Sequence, residues 1–362
     1  MGSIKQNYAN NVLSSGKFDA TDLTGTIPNT NINDNSIDNV TSFPAAGSGI
    51  PSVASDPPSP SQGDVWYNTT SNAFKYVGAT TAGSWATGGN LNTARFGLGN
   101  AGSYTSALAF GGRPTAATES YDGTSWTEVN DLNTARAHMG GAGASNTSAL
   151  AYGGLDVIPD TKLNSTESWN GTSWTEVNNL NTARKFVALG TGTNTAALCI
   201  GGLIDPPFSA LVEQWNGTNW TETGDLNTAR SQLASVGITT AALAFGGNSP
   251  GGTAVTESWN GSAWTETTDL NTARQQLAGA AFGTSTSTLA FGGNPGPAVT
   301  GKTELWNGTS WSEQNDLATA REYLAGAGTA ANALAFGGSP TTAATEEWTG
   351  AGSPLTKTVT TA

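Results

Sequence analysis

Short apolar runs separated by polar turns occupy most of the chain after residue 90. In one unit, an Ala-Ala-Leu-Ala-Phe run at 241–245 ends at Gly-Gly, and a Glu-Ser-Trp run at 257–259 ends at Asn260-Gly261. Runs of this length, bounded by Gly and Asn, are typical of β-strands, because a helical pattern would extend over about ten residues or more. The pattern therefore predicts an all-β protein.

The same pattern returns at intervals of about 40–50 residues, which indicates a propeller or a similar array of β units. Each unit has an apolar run closed by Gly-Gly, a Glu-x-Trp run, a second Trp in most copies, and a closing Arg. The repeat arginines are Arg95, Arg136, Arg184, Arg230, Arg274 and Arg321. The Gly-Gly pairs begin at Gly111, Gly153, Gly201, Gly246, Gly292 and Gly337. Six repeated units predict six blades.

The residue types within a unit suit the blades of a propeller. Gly and Ala dominate the first predicted strand, and small side chains let the innermost strands approach one another at the axis. We expect Trp pairs such as Trp169 and Trp174 to pack between neighbouring blades, since an indole can bury ~150–250 Å². The Asn-Gly between them predicts a type I′ hairpin turn, in which both central residues have positive φ.

The last unit has Trp348 but no second Trp, so its fourth strand must come from elsewhere in the chain. We expect the strand around Trp85 to complete this blade, because joining the two ends of the array removes exposed sheet edges. The alternative is that residues 355–361 fill that place. The hairpin around Trp66 would then begin a partial seventh blade.

The first part of the chain differs from the repeats. Residues 1–62 are rich in Asn, Asp, Ser, Thr and Pro and have few large apolar side chains. Such a segment cannot bury enough apolar surface alone to offset its ordering entropy. It is either a disordered leader or an extended N-terminal arm that anchors the protein in an assembly, and we favour the arm. Residues 63–82 are predicted to form a β-hairpin linker, and residues 83–362 the propeller.

Composition excludes several classes of function. A net charge of −13 argues against nucleic acid as a partner, since binding it requires many Lys and Arg side chains. No apolar run approaches the ~20 residues of a membrane span, so no membrane insertion is expected. Because the chain has one histidine, His138, we expect neither a multi-histidine metal site nor a His-dependent triad. We interpret His138 as an ordinary surface or packing residue. We therefore predict no catalytic residues, no metal and no cofactor, and hence no enzyme.

The arginines have a structural interpretation. Every arginine except Arg113 occupies the same position of a repeat. We expect these side chains to pair with repeat glutamates such as Glu167, Glu213 and Glu257, or to donate to backbone carbonyls.

Sequence variation is concentrated in the loops between each Gly-Gly pair and the following Glu, whereas the Asn-Gly turns are uniform. In a four-stranded antiparallel blade these loops share one end with the connections between blades, and the Asn-Gly turns lie at the opposite end. Variable loops on a rigid scaffold are where recognition usually lies, although neutral drift of loops would give the same pattern. The candidate binding residues on these loops are Arg113, Asp156, Asp160, Lys162, Asp205, Phe208 and Lys302.

The order Gly-Gly, Glu-x-Trp, second Trp and closing Arg resembles the repeats of kelch-type β-propellers over residues 91–350. It departs from that family where Trp-Asn-Gly stands in place of the more frequent Tyr-Asp-Pro. The resemblance implies an all-β, six-bladed kelch-like β-propeller, here with an extended N-terminal arm.

A second resemblance lies nearer the start of the chain. Residues 23–29 (Leu-Thr-Gly-Thr-Ile-Pro-Asn) and 63–68 (Gly-Asp-Val-Trp-Tyr-Asn) are similar to segments common in bacteriophage tail-fibre and other virion appendage proteins. This implies a structural protein of the virion, made in the host cytoplasm and assembled as a homo-oligomer in the particle. The arm would bind other virion proteins, and the propeller would adhere to a host-surface glycan or protein. The alternative is a non-viral secreted or intracellular kelch-like module that binds proteins or glycans.

Overall fold

The computed structural model describes residues 51–57, 64–79, 83–156, 161–204, 207–350 and 354–358. Throughout these ranges the regular secondary structure is β-strand, with no helix. The chain divides into two compact units, one of residues 83–350 and one of residues 1–82 together with 351–362. The prediction of an all-β protein is confirmed.

The larger unit is a series of antiparallel sheets, numbered here in chain order, and each follows one sequence repeat. Sheet 1 contains Gly99–Ser103, Ser106–Phe110, Thr118–Tyr121 and Trp126–Val129. Sheet 2 contains Gly140–Ser145, Ser148–Tyr152, Thr166–Trp169 and Trp174–Val177. Sheet 3 contains Ala197–Ile200, Val212–Trp215 and Trp220–Glu222. In each of these sheets, strands that are consecutive in sequence are neighbours.

The remaining repeats form the other sheets of this unit. Sheet 4 contains Ala234–Ile238, Ala241–Phe245, Thr256–Trp259 and Trp264–Glu266. Sheet 5 contains Ala278–Gly279, Thr288–Phe291, Thr303–Trp306 and Trp311–Glu313. Sheet 6 contains Ala325–Gly328, Asn332–Phe336, Thr345–Thr349 and, from the start of the unit, Ser84–Thr87. A short two-stranded sheet also pairs Arg136–Ala137 with Leu155–Asp156.

The strand around Trp85 completes sheet 6, as predicted. Trp85 is paired opposite Trp348, and its indole Nε1 donates to Thr303 Oγ1 of sheet 5 at 2.9 Å. The fourth-strand Trp174 of sheet 2 makes the same bond to Thr118 of sheet 1, at 3.1 Å. The alternative that residues 355–361 fill this place is wrong, because the run at 354–358 has no indole to occupy the site and pairs instead with Ala73–Ala79. The larger unit covers residues 83–350, whereas the predicted segment was 83–362.

The tryptophans pack between sheets, as expected. The ring of Trp174 in sheet 2 lies 5.0 Å, centroid to centroid, from Phe110 in sheet 1. Trp126 of sheet 1 makes the corresponding contact with Phe336 of sheet 6, at 4.9 Å. Each apolar cluster of this unit is formed by two sheets that follow one another, with sheet 6 followed by sheet 1. Burial between sheets is therefore what holds the array together.

The Asn-Gly turns differ from the predicted type. The loop 170–173 connects the paired Trp169 and Trp174, and Asn170 Oδ1 accepts the N–H groups of Thr172 and Ser173, both at 2.9 Å. Only the glycine has positive φ, at 93° for Gly171, so a type I′ turn is wrong. The asparagine side chain instead closes an Asx turn, which satisfies two backbone donors locally.

Each repeat arginine is fully buried and paired with the glutamate of the sheet it precedes. Arg136 pairs with Glu167 at 2.6 Å, and Arg184 pairs with Glu213 at 2.8 Å. The others are Arg95–Glu119, Arg230–Glu257, Arg274–Glu304 and Arg321–Glu346. The guanidinium of Arg184 also donates to the carbonyl of Leu211 at 2.6 Å. The predicted structural role of these arginines is confirmed.

An asparagine ties most of these glutamates to the fourth strand. Asn181 Nδ2 donates to Glu213 Oε2 at 2.9 Å and to the carbonyl of Trp220 at 3.2 Å. Position 318, which corresponds to it before sheet 6, is alanine and keeps only the backbone donation to Glu346 Oε2, at 2.7 Å. The fourth strand of sheet 6 therefore lacks a tie that its counterparts have.

We expect Ala318→Asn to restore this tie and to raise the free energy of unfolding by about 1 kcal/mol, the net value of a typical added hydrogen bond. Urea denaturation of the two proteins measures the change. Asn181→Ala is the matched control and should lower stability by a similar amount. If Asn181→Ala lowers the free energy of unfolding while Ala318→Asn leaves it unchanged, the placement of Ser84–Thr87 as an equivalent fourth strand is contradicted.

The contact between sheets 6 and 1 contains a carboxylate shared by two tyrosines. Glu347 accepts the hydroxyl of Tyr121 at 2.7 Å and that of Tyr104 at 2.8 Å. Burial, followed by the hydrogen bond to Glu347, raises the pKa of Tyr104 to about 12 and raises that of Tyr121 as well. Both tyrosines are therefore held protonated where sheet 6 meets sheet 1.

Alkaline pH should weaken this contact. A tyrosine whose pKa is higher in the folded state contributes stability that is complete below pH 10, its unfolded pKa, and that is lost as the pH rises through about 12. We expect the melting temperature to fall between pH 10 and 12, and to fall less in Tyr104→Phe, which has one fewer group to titrate. Melting curves at pH 9 and 11.5 measure this. Equal falls in the two proteins would contradict the role assigned to Tyr104.

The smaller unit contains the predicted hairpin, formed by Val65–Asn68 and Ala73–Ala79. Ser52–Val53 pairs in parallel with the first hairpin strand, and Pro354–Thr358 pairs with the second. Asp56 accepts hydrogen bonds from Asn68 Nδ2 and Lys75 Nζ, both at 2.6 Å. The bonds from Lys75, Asn68 and Trp66 lower the pKa of Asp56 to about 2. The predicted arm at 1–62 lies outside the described residues except for 51–57.

Candidate recognition face

The loops that vary between repeats lie at one end of the sheets. In each repeat, the residue directly after the repeat arginine pairs with the residue directly after Gly-Gly, as in Phe96 with Arg113 and Lys185 with Leu203. The Asn-Gly turns lie at the opposite end, where Gly171 adjoins Thr147 of the turn between the first two strands. We call the first end the variable face and the second the turn face. The predicted separation of loops and turns is confirmed, and the binding role of the loops stays a prediction.

The described candidate residues are spread over four sheets and partly exposed. The backbone N–H of Arg113 donates to Phe96 at 2.9 Å, which fixes the start of the sheet 1 loop. Asp156 pairs in strand register with Arg136 in the sheet 2 loop. Lys302 pairs with Glu313 at 3.0 Å, beside the fourth strand of sheet 5, and thus lies at the outer edge of its sheet.

The loops of sheets 2 and 3 are joined by a candidate residue. Lys162 Nζ donates to the carbonyl of Ile204 at 2.6 Å, and Phe208 is bridged to Leu203 in the same sheet 3 loop. Two further candidates, Asp160 and Asp205, lie outside the described residues. The structure therefore brings Lys162 and Phe208 into neighbouring loops and leaves Arg113 and Lys302 on other sheets.

Sequence reasoning missed a ring of residues at the centre of the variable face. These residues, each two positions after a repeat arginine, are Gly97, His138, Phe186, Gln232, Gln276 and Tyr323. Each backbone N–H donates to the carbonyl of the preceding member at 2.8–2.9 Å, and the N–H of Gly97 donates to Tyr323. We call this set the axial ring. Its hydrogen bonds form a closed cycle.

All members of the axial ring have positive φ, from 51° at Tyr323 to 67° at Gly97. This conformation costs a non-glycine residue roughly 1–2 kcal/mol. Strained backbone of this kind concentrates at functional sites, where surrounding structure holds it. The sequence carries only a weak signal for the ring: the second position after the constant Ala-Arg of each repeat differs between most copies, and so does the first.

The side chains of the axial ring form one polar and aromatic cluster. His138 lies 4.4 Å from Phe186 and 4.7 Å from Tyr323, centroid to centroid. The amide nitrogens of Gln232 and Gln276 donate to the hydroxyl of Tyr323 at 3.0 and 2.9 Å. Burial, followed by the nearby charge of Glu322, raises the pKa of Tyr323 to about 12. His138, interpreted from sequence as an ordinary surface or packing residue, thus packs at the centre of this face.

A cavity of about 40 Å³ is lined by all six members of the axial ring. Its walls include the apolar residues that follow each ring member, namely Leu98, Met139, Val187, Leu233, Leu277 and Leu324. A single water needs roughly 10–15 Å³ of such space, so the cavity is larger than one water site and far smaller than a typical ligand pocket of about 300 Å³ or more. The polar and aromatic side chains of the axial ring therefore adjoin an apolar part of the cavity. We call that apolar part, lined by the residues that follow the ring members, the recess.

Among the described residues, no group of three or more His, Cys, Asp or Glu side chains is placed to hold a metal ion. The part of the chain that the structure describes also has no helix of the length and apolar character that a membrane crossing requires. No protein-family model matches the chain, and a search of curated proteins finds no significant match.

Proposed function

We propose that the larger unit is a closed, six-bladed, kelch-like β-propeller. Three observations support it. The axial ring is joined by a complete cycle of backbone hydrogen bonds. An apolar cluster joins sheet 6 to sheet 1 as the other clusters join consecutive sheets. The fourth strand of sheet 6, Ser84–Thr87, comes from the opposite end of the unit.

We further propose that this propeller is a recognition module whose variable face binds a host-surface glycan or protein. The observation that carries the proposal is the separation of constant and variable parts. The buried Arg–Glu pairs, the tryptophans and the Asx turns recur in nearly every repeat, whereas the loops and the axial ring differ and lie together at one end. A rigid scaffold with variation confined to one face is the usual arrangement of a binding protein.

The assembly in which the module works is proposed from the first part of the chain. Its similarity to segments of phage appendages favours a tail-fibre or other virion component, anchored by residues 1–62 to other virion proteins and present in several copies. The net charge of −13 and the pairing of the repeat arginines leave few cations for a nucleic-acid partner.

Negative-stain imaging with an antibody against residues 1–62 tests the assembly. Purified phage particles that carry the chain should be labelled at the base of an appendage when they are partly dissociated. An antibody against the variable face should label the distal part of intact particles. Recovery of the chain only as free protein, with no particle labelled, would contradict the virion proposal and favour a secreted or intracellular binding module.

A further inference from the structure

The axial ring has a composition that points to a particular ligand chemistry. Its side chains are aromatic or amide groups, and none of the ring positions carries a carboxylate, lysine or arginine. Phe96, which precedes Gly97, adds a further ring 6.0 Å from His138 and 6.2 Å from Tyr323. Aromatic and amide side chains of this kind suit a neutral ligand with both apolar and hydrogen-bonding surfaces.

A pyranose has both kinds of surface. The C–H groups on one side of the sugar ring pack against aromatic faces, which bury large apolar area at fixed geometry. Its hydroxyls both donate and accept, and they match carboxamides, which do the same. Gln232, Gln276 and Tyr323 supply such groups within 3.3 Å of one another.

One acceptor in this cluster is unused. Gln276 Oε1 is buried and has no hydrogen-bond partner among the described residues, while its Nε2 donates to Tyr323. A buried carbonyl without a donor costs roughly 1–3 kcal/mol, so native structures rarely leave one unmatched. A ligand N–H or O–H at the axis would satisfy it.

The apolar recess distinguishes between neutral sugars. A cavity of about 40 Å³, walled by Leu, Met and Val side chains together with the ring members, is too small for a sugar ring and suits a methyl group. An N-acetyl substituent combines that methyl group with an amide N–H. The methyl would fill the recess and the N–H would lie within reach of the amide rim.

We propose that the axial ring binds an N-acetylated hexosamine, with the pyranose against His138, Phe186 and Tyr323 and the acetyl methyl in the recess. The proposal rests on the proposed function, since it names the glycan class that the variable face would recognise. The acetamido N–H donates to Gln276, and sugar hydroxyls bond to Gln232 and Tyr323.

Calorimetric or NMR titration of the full chain with N-acetylglucosamine, N-acetylgalactosamine, glucose and galactose tests the proposal. We expect dissociation constants at least about tenfold lower for the N-acetylated sugars than for glucose and galactose, because one well-fitted apolar group usually has an effect of this size. Val187→Ile adds one methyl to the recess and should reduce that preference about tenfold without changing affinity for glucose or galactose. Tyr323→Phe should weaken the binding of all four sugars, because it removes the hydroxyl. Ile238→Ser on the turn face, at a side chain 55 % exposed, is the control and should change nothing.

Melting curves establish that each variant is folded before its affinity is read. No binding of the N-acetylated sugars at millimolar concentration, equal binding of all four sugars, or an unchanged preference in folded Val187→Ile would each overturn the proposal. If any of these results is obtained while substitution of Arg113 and Phe208 abolishes cell binding, the recognition function is supported and the axial ring is excluded as its site.

Discussion

Replacing Arg184 by methionine is expected to lower the free energy of unfolding by about 3–5 kcal/mol. The guanidinium is fully buried and paired with the equally buried Glu213 at 2.8 Å, so the substitution leaves a carboxylate without its counter-charge. It also removes the donor to the Leu211 carbonyl at 2.6 Å. Urea denaturation followed by tryptophan fluorescence measures the loss.

A double variant separates charge from packing. Arg184→Met combined with Glu213→Gln removes both charges, while the glutamine oxygen can still accept the N–H of Asn181, now bonded to Glu213 at 2.7 Å. We expect the double variant to recover about half of the lost stability, because the cost of one buried charge is gone. A single variant within about 1 kcal/mol of the native protein would contradict the structural role of the repeat arginines.

Replacing Trp174 by alanine should cost about 3–5 kcal/mol, the range for removing a buried tryptophan. Its indole lies between sheets 1 and 2, against Phe110 at 5.0 Å, and donates to Thr118 at 3.1 Å. Truncation removes the apolar contact and leaves a cavity between the sheets. The change in unfolding free energy is measured by urea denaturation.

The matched variant is Trp85→Ala in sheet 6. Trp85 makes the same two contacts, with Phe291 at 5.0 Å and Thr303 at 2.9 Å, and is more exposed than Trp174. We expect a smaller but clear loss of about 1–3 kcal/mol, scaled by the area it buries. If Trp85→Ala had no effect while Trp174→Ala was strongly destabilising, the completion of sheet 6 by Ser84–Thr87 would be contradicted.

The scaffold was predictable because its chemistry is local and repeated. Gly-Gly, the Trp pair and the closing Arg recur in fixed order, so the sequence predicts the strands, the Arg–Glu pairs and the strand that completes sheet 6. The turn type was not predictable from Asn-Gly alone, because the side chain of Asn170 competes with a type I′ geometry by bonding the backbone of Thr172 and Ser173.

The axial ring was not predictable for a different reason. Its members are separated by more than forty positions in the chain, and only the folded arrangement of the sheets places His138 beside Tyr323, 4.7 Å apart. Read singly, a histidine two residues after an arginine has no evident role. The ring position varies between repeats, but the position directly after each arginine varies too, so variation alone does not identify the ring.

Binding of the purified chain to host cells tests whether recognition lies on the variable face. The comparison uses the native protein, a variable-face variant with Arg113→Ala and Phe208→Ala, and a turn-face variant with Thr172→Ala and Thr218→Ala, two exposed positions. We expect the native and turn-face proteins to bind equally and the variable-face variant to bind at least about tenfold more weakly, which corresponds to a loss of roughly 1.4 kcal/mol. Equal binding by the variable-face variant, or loss of binding by the turn-face variant, would contradict it.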